Sequence, residues 1–419
     1  MDNKAKYQER LKRFNDAMAL TEPDRVPCAP HCGTYFATNA GYTMAEIVYD
    51  VGKAKDAAFK YMDRYEPDLA MSIANLHPGR GPLKEKLGVK WLQWAGQPGS
   101  NIDINSMHQF IEKPYLAEDE YPELIGDFTG WLIKKYLPQG YKAMEPFAKL
   151  DFYGMTKGLD IAFECIPFAD PEFQSSLKAL CEVGEAAKAL LDEYKAYDLE
   201  IAERGYPIPY VSVTEAPFDQ LSDGLRGTMG VMLDLYAQPE NVLAAIEQFT
   251  PRAISCVTDN VKPSADSTNL VFMPLHKGMD GFMSDEHYRK FYWDSLFRVV
   301  NALIEAGLTP LLYSEGKYDS RVECMMDLPK GKTFIHFEDA DMSRVKKLLG
   351  NVACLSGGIS SHMLAYDTKE QVVEKVKRNM DILAPGGGFI FDLGDTIEST
   401  AKPENVEAMF DTVKAYGKY

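Results

Sequence analysis

The chain has 419 residues, 46% of them hydrophobic, which is enough to bury the core of one α/β barrel with insertions. A net charge of −17 without any run of Lys or Arg argues against nucleic acid or an anionic membrane surface as partners, and disfavours a substrate with many carboxylates. The charged start of the chain, the lack of a long apolar stretch and the scattered cysteines favour a cytoplasmic protein without a membrane span.

The N-terminal half shows little regular periodicity. Residues 26–31 and 69–73 are candidate strands, and residues 173–204 have the pattern of one or two long helices. Between them, residues 95–150 are rich in Pro, Gly and aromatic residues. We interpret this segment as an insertion over the mouth of a barrel, with an ordinary connector as the alternative.

From about residue 205 the chain alternates short apolar runs with amphipathic stretches, which is typical of repeated βα units. Helical patterns begin after Ser284, at Thr368 and after Pro403. The pattern predicts one domain over residues 1–419, a single-domain (β/α)8 TIM barrel with an irregular N-terminal insertion. The predicted strands are 209–215, 269–276, 309–315, 332–339, 352–359 and 388–393.

Polar residues end several of these strands. In (β/α)8 barrels the carboxyl ends of the strands surround the active site, so Glu215, His276, Glu315, His336 and Asp395 are the residues to consider. We predict His276 and Glu315 as catalytic groups. His276, Glu315, His336 and Asp395 together could hold a zinc ion and leave one position open for substrate, although each alone could also be an ordinary hydrogen-bonded polar group.

Other motifs carry weaker signals. On one strand Cys28 and Cys32 share a face and His31 points to the opposite one, so a single metal could not take all three, and we expect a structural role for them. Surface or packing roles are also expected for His77, His108 and His287.

Two glycine motifs differ in their context. Residues 386–388 follow a helix and precede a strand, the reverse of a phosphate-binding loop. Gly357 and Gly358 follow a strand at the expected barrel mouth, where they could let a cofactor approach the backbone closely.

Three segments resemble the uroporphyrinogen decarboxylase superfamily: HKGMDGFMSDEHYRKFYW at 276–293, LLYSEGKYDSR at 311–321 and GGFIFDLGDTIESTAKPENVEAM at 387–409. The segment QFIEKPYLAEDEYPELI at 109–125 resembles the corrinoid-dependent methyltransferase branch of anaerobes. The resemblance extends over nearly the whole chain and implies the (β/α)8 barrel that the periodicity predicts.

The resemblance also shows departures from the pattern of the family. True decarboxylases carry an Arg-rich loop near the N-terminus that clamps porphyrinogen carboxylates, whereas residues 25–36 here contain only Arg25. The branch that serves coenzyme M binds zinc through an H-x-C motif and a later Cys. Tyr313, Glu315 and Asp395 stand in their place, and a zinc ion without thiolate ligands would be harder and would suit an oxygen substrate.

The resemblance therefore implies the methyltransferase of an O-demethylase system, which moves a methyl group from a small-molecule methyl donor, an aromatic or other methyl ether, to cob(I)alamin. The chain has no D-x-H-x-x-G motif, so the cobalamin is expected on a separate corrinoid protein. Zinc, or His276 or Glu315 as a general acid, would stabilise the leaving oxygen.

Four alternatives remain open at this stage. They are a demethylase for a methylamine, betaine or thioether, a second methyltransferase from methylcorrinoid to another acceptor, a porphyrinogen decarboxylase, and a barrel that only binds a corrinoid protein or a tetrapyrrole.

Overall fold

The computed structural model describes residues 2–151, 155–156 and 161–419. The strands are β1 (Leu92–Gln93), β2 (Gln109–Phe110), β3 (Ser212–Val213), β4 (Leu270–Leu275), β5 (Thr309–Lys317), β6 (Phe334–Asp339) and β7 (Cys354–Gly357). The α-helices are α1 (Asn3–Met18), α2 (Tyr35–Asn39), α3 (Met44–Tyr49), α4 (Val51–Tyr65), α5 (Gly81–Leu87), α6 (Tyr121–Gly126), α7 (Phe128–Trp131), α8 (Leu137–Gly140), α9 (Ile161–Glu164), α10 (Pro171–Glu203), α11 (Pro217–Leu221), α12 (Thr228–Ala237), α13 (Pro239–Thr258), α14 (Asp285–His287), α15 (Asp294–Glu305), α16 (Val322–Met325), α17 (Met342–Leu349), α18 (His362–Tyr366), α19 (Lys369–Leu383) and α20 (Pro403–Tyr416).

Strands β3 to β7 form a parallel sheet in chain order. Backbone hydrogen bonds extend this sheet into a ring through three further segments, around residues 389–391, 26–32 and 68–70. The linking bonds run from Ile390 N to Leu355 O (3.0 Å), Phe391 N to Pro27 O (2.8 Å), Asp68 N to Cys28 O (2.7 Å) and Ala70 N to Pro207 O (2.8 Å). Eight segments thus enclose the core, and the predicted (β/α)8 barrel is confirmed.

Five of the predicted barrel strands are confirmed, although the first of them, β3, is only two residues long. The segments 26–31, 69–73 and 388–393 contribute only isolated bridges or single hydrogen bonds instead of continuous ladders. Pro27 and Pro30 in the first of them lack the N–H donor that a ladder needs. The predicted helix over 285–306 runs from α14 through a π-helical turn (Tyr288–Trp293) into α15, and the Ser284 side chain accepts from the His287 amide (3.1 Å).

Helix α1 closes the amino-terminal end of the barrel. Its buried residues Leu11 and Phe14 belong to one hydrophobic cluster with Leu270, Leu311 and Phe334, which stand at or near the beginning of their strands. Burial of this apolar surface leaves the carboxyl ends of the strands as the open end of the barrel. No helix in the described part of the chain is both long and apolar enough to cross a membrane.

A buried ion-pair network fixes α1 to the barrel wall. Asp68 accepts from the guanidinium groups of Arg13 (2.7 Å) and Arg25 (2.6 Å), and it also accepts from the amide of Cys28 (2.7 Å). Arg13 and Asp68 are almost fully buried. Because a buried carboxylate is costly without partners, removal of either arginine would destabilise this end of the barrel.

Candidate active site

A cavity of about 1140 Å³ occupies the open end of the barrel. It extends into the barrel as far as Leu270, Leu311 and Phe334, which belong to the hydrophobic cluster that contains Leu11 and Phe14 of α1. Aromatic side chains form much of its wall. The barrel strands and their flanking residues contribute Tyr210, Phe272, Tyr313 and Phe334. The part of the chain before β3 contributes Trp91, Phe110, Tyr115 and Tyr136. The irregular segment after residue 95 therefore covers the mouth of the barrel, as the sequence predicted.

The charged residues of the cavity wall are mostly acidic. Lys277 is its one Lys or Arg within the described chain, and the Lys277 ammonium lies 3.0 Å from Asp223 Oδ1. The carboxylates are Glu112, Glu215, Asp223, Glu315, Glu338 and Asp392. Such a lining disfavours any ligand with several negative charges.

His276 and Glu315, the two predicted catalytic residues, lie next to each other at the ends of β4 and β5. Glu315 Oε2 is 3.5 Å from His276 Nε2, and Asp223 Oδ2 is 2.5 Å from His276 Nδ1. Burial alone would lower the pKa of His276, but the hydrogen bonds to Asp223 and Glu315 raise it to about 11. At neutral pH this histidine is an imidazolium held between two carboxylates.

Asp219 supports this cluster from below. It accepts from the amides of His276 and Lys277 (3.0 Å each) and from the Tyr292 hydroxyl (2.6 Å). Burial first, and the Asp223 carboxylate second, raise the pKa of Asp219 to about 7. Asp219 therefore fixes the backbone that carries His276 instead of facing a ligand.

A second set of acid–base groups comes from the first barrel segment, where His31 lies between Asp392 and Tyr210. His31 Nδ1 donates to the Asp392 carboxylate, and His31 Nε2 accepts from the Tyr210 hydroxyl. All three line the cavity. The expectation of a structural role for His31 did not include this position, where the imidazole has the hydrogen-bond partners that a proton-transfer chain would need.

His336, predicted as a zinc ligand, is fully buried and has both ring nitrogens engaged. Nε2 donates to the Gly394 carbonyl (3.0 Å), so Nδ1 accepts from the Ser356 hydroxyl (2.9 Å). Burial lowers the pKa of His336 to about 4. No lone pair is left for a metal, and the ring instead stacks on Tyr313 with centroids 4.0 Å apart.

Asp395, the fourth predicted ligand, accepts from the Ser361 amide (2.6 Å). Among the described residues, no three His, Cys, Asp or Glu side chains form a group that could hold a metal ion. The predicted set of His276, Glu315, His336 and Asp395 is therefore not assembled. Its donors do not fit zinc in this arrangement, because both ring nitrogens of His336 are already hydrogen-bonded.

Gly357 and Gly358 do not line the cavity that the described residues form. Both have positive φ angles, 89° and 78°. A Cβ on Gly357 would lie 2.0 Å from the Phe337 carbonyl oxygen, and one on Gly358 would lie 2.2 Å from Met342 Cγ. The packing of β7 against β6 and α17 thus explains these glycines, and the predicted cofactor contact finds no support.

His77 and His108, for which surface or packing roles were expected, pack against each other at the wall of the cavity. Their rings stack with centroids 4.4 Å apart, and Lys84 Nζ lies 3.0 Å from His77 Nδ1. Sequence reasoning missed this cluster because both histidines lie outside the strand ends.

His287, in contrast, packs on the outside against Phe291 and Tyr236, as expected.

The fold and cavity define a (β/α)8-barrel protein with acid–base residues at the carboxyl ends of its strands. The sequence profile of Uroporphyrinogen decarboxylase (URO-D) matches residues 166–416. The chain belongs to this family.

Individual relatives are distant. A uroporphyrinogen decarboxylase of Anaeromyxobacter dehalogenans is 24% identical over 313 residues, which cover 71% of this chain and 86% of the relative. One of Geobacter sulfurreducens is 22% identical and covers 58% of this chain and 72% of its own length. A solved methyltransferase from Methanosarcina mazei superposes with a TM-score of 0.60 over 97% of this chain and 98% of its own, at 13% identity, which shows a shared fold.

Proposed function

We propose that the protein is the methyltransferase of a corrinoid-dependent O-demethylase system, which takes the methyl group from an aryl methyl ether. The observation that carries this proposal is the composition of the cavity. It combines aromatic walls with one imidazolium, His276, between Asp223 and Glu315. Aromatic walls favour an aryl ligand, and the imidazolium supplies a proton where an oxygen would leave.

The composition of the cavity argues against the decarboxylase alternative. A porphyrinogen with many carboxylates would face six carboxylates and one lysine that is already paired. Arg25, the one arginine of residues 25–36, is bound to Asp68 outside the cavity lining. Unpaired anionic groups in this cavity would be strongly unfavourable.

In the proposed reaction the O–CH₃ bond breaks, its electron pair stays on oxygen, and the methyl group passes to the cobalt of a corrinoid carried by a separate protein, which supplies the nucleophile. His276 donates its proton to the oxygen that leaves. Its pKa of about 11 is close to that of a phenol, about 10, so transfer to a phenolate is nearly balanced. Glu315, only 3.5 Å from Nε2, orients this proton toward the cavity.

A second candidate is the demethylation of a methylated ammonium compound. The excess of carboxylates and the aromatic walls of the same cavity favour a cation, which binds to ring faces and to negative charge. Such a leaving group needs no proton from His276 to depart.

One assay separates these activities. Purified protein is mixed with a reduced corrinoid protein and with aryl methyl ethers, alkyl methyl ethers or quaternary ammonium compounds, and cobalt methylation is followed by absorbance. We expect turnover with aryl ethers, lowered about 10²–10⁴-fold in His276→Ala. His362→Ala, an exposed histidine on α18, is the matched control and should keep full activity.

Failure to methylate cobalt with any ether would refute the proposal. Turnover only with ammonium compounds, unaffected by His276→Ala, would establish the second candidate in its place.

A further inference from the structure

The part of the cavity wall that His77 and His108 form differs from the rest because positive charge without a counter-ion lies behind it. Lys84, on α5, is only 9% exposed, and none of the described carboxylates lies within ion-pair distance of its ammonium. Its contacts are His77 Nδ1 at 3.0 Å and the Trp94 ring, whose centroid lies 5.2 Å away. A buried ammonium without an anionic partner is costly. The chain has a net charge of −17, so carboxylates are abundant, and yet none that the structure describes pairs with Lys84.

Arg80 adds to this charge. It lies one turn before Lys84, its Nε donates to the Tyr194 hydroxyl (3.3 Å), and it too has no carboxylate partner among the described residues. Burial first, and then the charge of Arg80, lower the pKa of Lys84 to about 8, so that the ammonium still predominates at neutral pH.

His77 and His108 connect this charge to the cavity. Because His77 Nδ1 accepts from Lys84, the proton of the neutral ring is on Nε2. His77 Nε2 and both nitrogens of His108 form no hydrogen bond with any residue that the structure describes, although both rings line the cavity. His77 is also held at a φ of 57°, in the left-handed region, which a side chain other than glycine adopts at a cost.

We propose that His77, His108 and Lys84 form a subsite for one carboxylate of the substrate. The imidazole N–H groups donate to its oxygens, and Lys84 behind them supplies the opposite charge. This inference rests on the proposed function and narrows its substrate to a methyl ether with one carboxylate, such as a methoxybenzoate. The aromatic walls would hold the ring of this substrate between the subsite and the His276 cluster.

Calorimetric titration with benzoate and its neutral analogue benzamide tests the subsite without methyl transfer. Wild type should bind benzoate about tenfold more tightly than benzamide, as expected for hydrogen bonds to a charged group. In Lys84→Met this preference should disappear while benzamide binding persists. Lys86→Met, on the exposed face of the same helix where Lys86 pairs with Glu182, is the matched control and should keep the preference.

His108→Phe provides a second variant if Lys84→Met does not fold, since it keeps a stacked ring and removes the N–H donors; the preference should fall several-fold. Equal affinity for both probes in wild type, or a preference that survives in the folded variants, would overturn the proposal. Because neither probe has a methyl group to transfer, a benzoate preference without demethylation would contradict only the proposed function.

Discussion

The cavity contains two histidine clusters whose pKa values shift in opposite directions. Burial lowers the pKa of both His276 and His77, yet the pKa of His276 rises to about 11 and that of His77 falls to about 2. The difference lies in the neighbours, which are Asp223 and Glu315 in one cluster and Lys84 in the other. Burial is the larger cause of the neutral state of His77, and Lys84 adds to it, whereas the carboxylates beside His276 outweigh burial and keep that histidine protonated.

The two clusters also give two parts of the cavity wall different electrostatic properties. A proton donor between carboxylates stands at one cluster, and an uncompensated cation stands behind the other. A substrate with an anionic group and an ether oxygen could satisfy both clusters at once, which neither an uncharged nor a polyanionic ligand would do.

The largest effect on this contrast is expected from Asp223→Asn. The change removes the carboxylate on His276 Nδ1 while it keeps the size of the side chain, so the pKa of His276 should fall by about 1–3 units. Nuclear magnetic resonance titration of ¹³C-labelled histidine measures it. Asp294→Asn, an exposed position on α15, should leave the titration of His276 unchanged. A pKa that stays near 11 in Asp223→Asn would show that Asp223 does not set it.

An intermediate effect concerns stability at low pH. The folded pKa of His77 lies below its unfolded value of about 6.5, so its stability contribution is present above pH 6.5 and declines as pH falls toward 2. Between pH 7 and pH 5 this linkage costs about 2 kcal/mol of unfolding free energy. Between pH 7 and pH 5, the unfolding free energy of His77→Gln, measured by urea denaturation, should therefore fall by about 2 kcal/mol less than that of wild type. The unfolding free energy of His362→Gln should fall by as much as that of wild type. Equal losses in His77→Gln and wild type would contradict the neutral state of His77.

The smallest effect is expected at the other cluster. Lys84→Met removes the positive neighbour of His77, but burial is the larger cause of its low pKa and remains. The pKa of His77 should rise by about one unit, still well below the ordinary value. The same histidine titration measures it, with Lys86→Met as control. A return to the ordinary pKa would mean that Lys84, and not burial, keeps His77 neutral.

The sequence located His276 and Glu315 by a general rule, since His276 directly follows β4 and Glu315 lies near the carboxyl end of β5. The same rule failed for His336, which lies within β6 and turns its ring toward Ser356 and Gly394. The alternation of side chains along a strand correctly predicted that the His31 imidazole and the Cys28 side chain lie on opposite faces. It did not predict that the His31 imidazole faces the cavity, where Asp392 and Tyr210 lie. Asp392, a polar residue inside an apolar run, was a signal that could have been used.

The barrel, the order of its βα units and the helices with capping residues could be predicted from the sequence, because they depend on local periodicity and on residues close in the chain. Which side chains share the cavity depends instead on contacts between residues that are far apart in the chain. His31 and Asp392 are 361 residues apart, and His77 meets His108 through an irregular segment that no periodicity describes. The charge beside each histidine, and with it the protonation state, follows from those distant contacts and from burial, which local sequence does not specify.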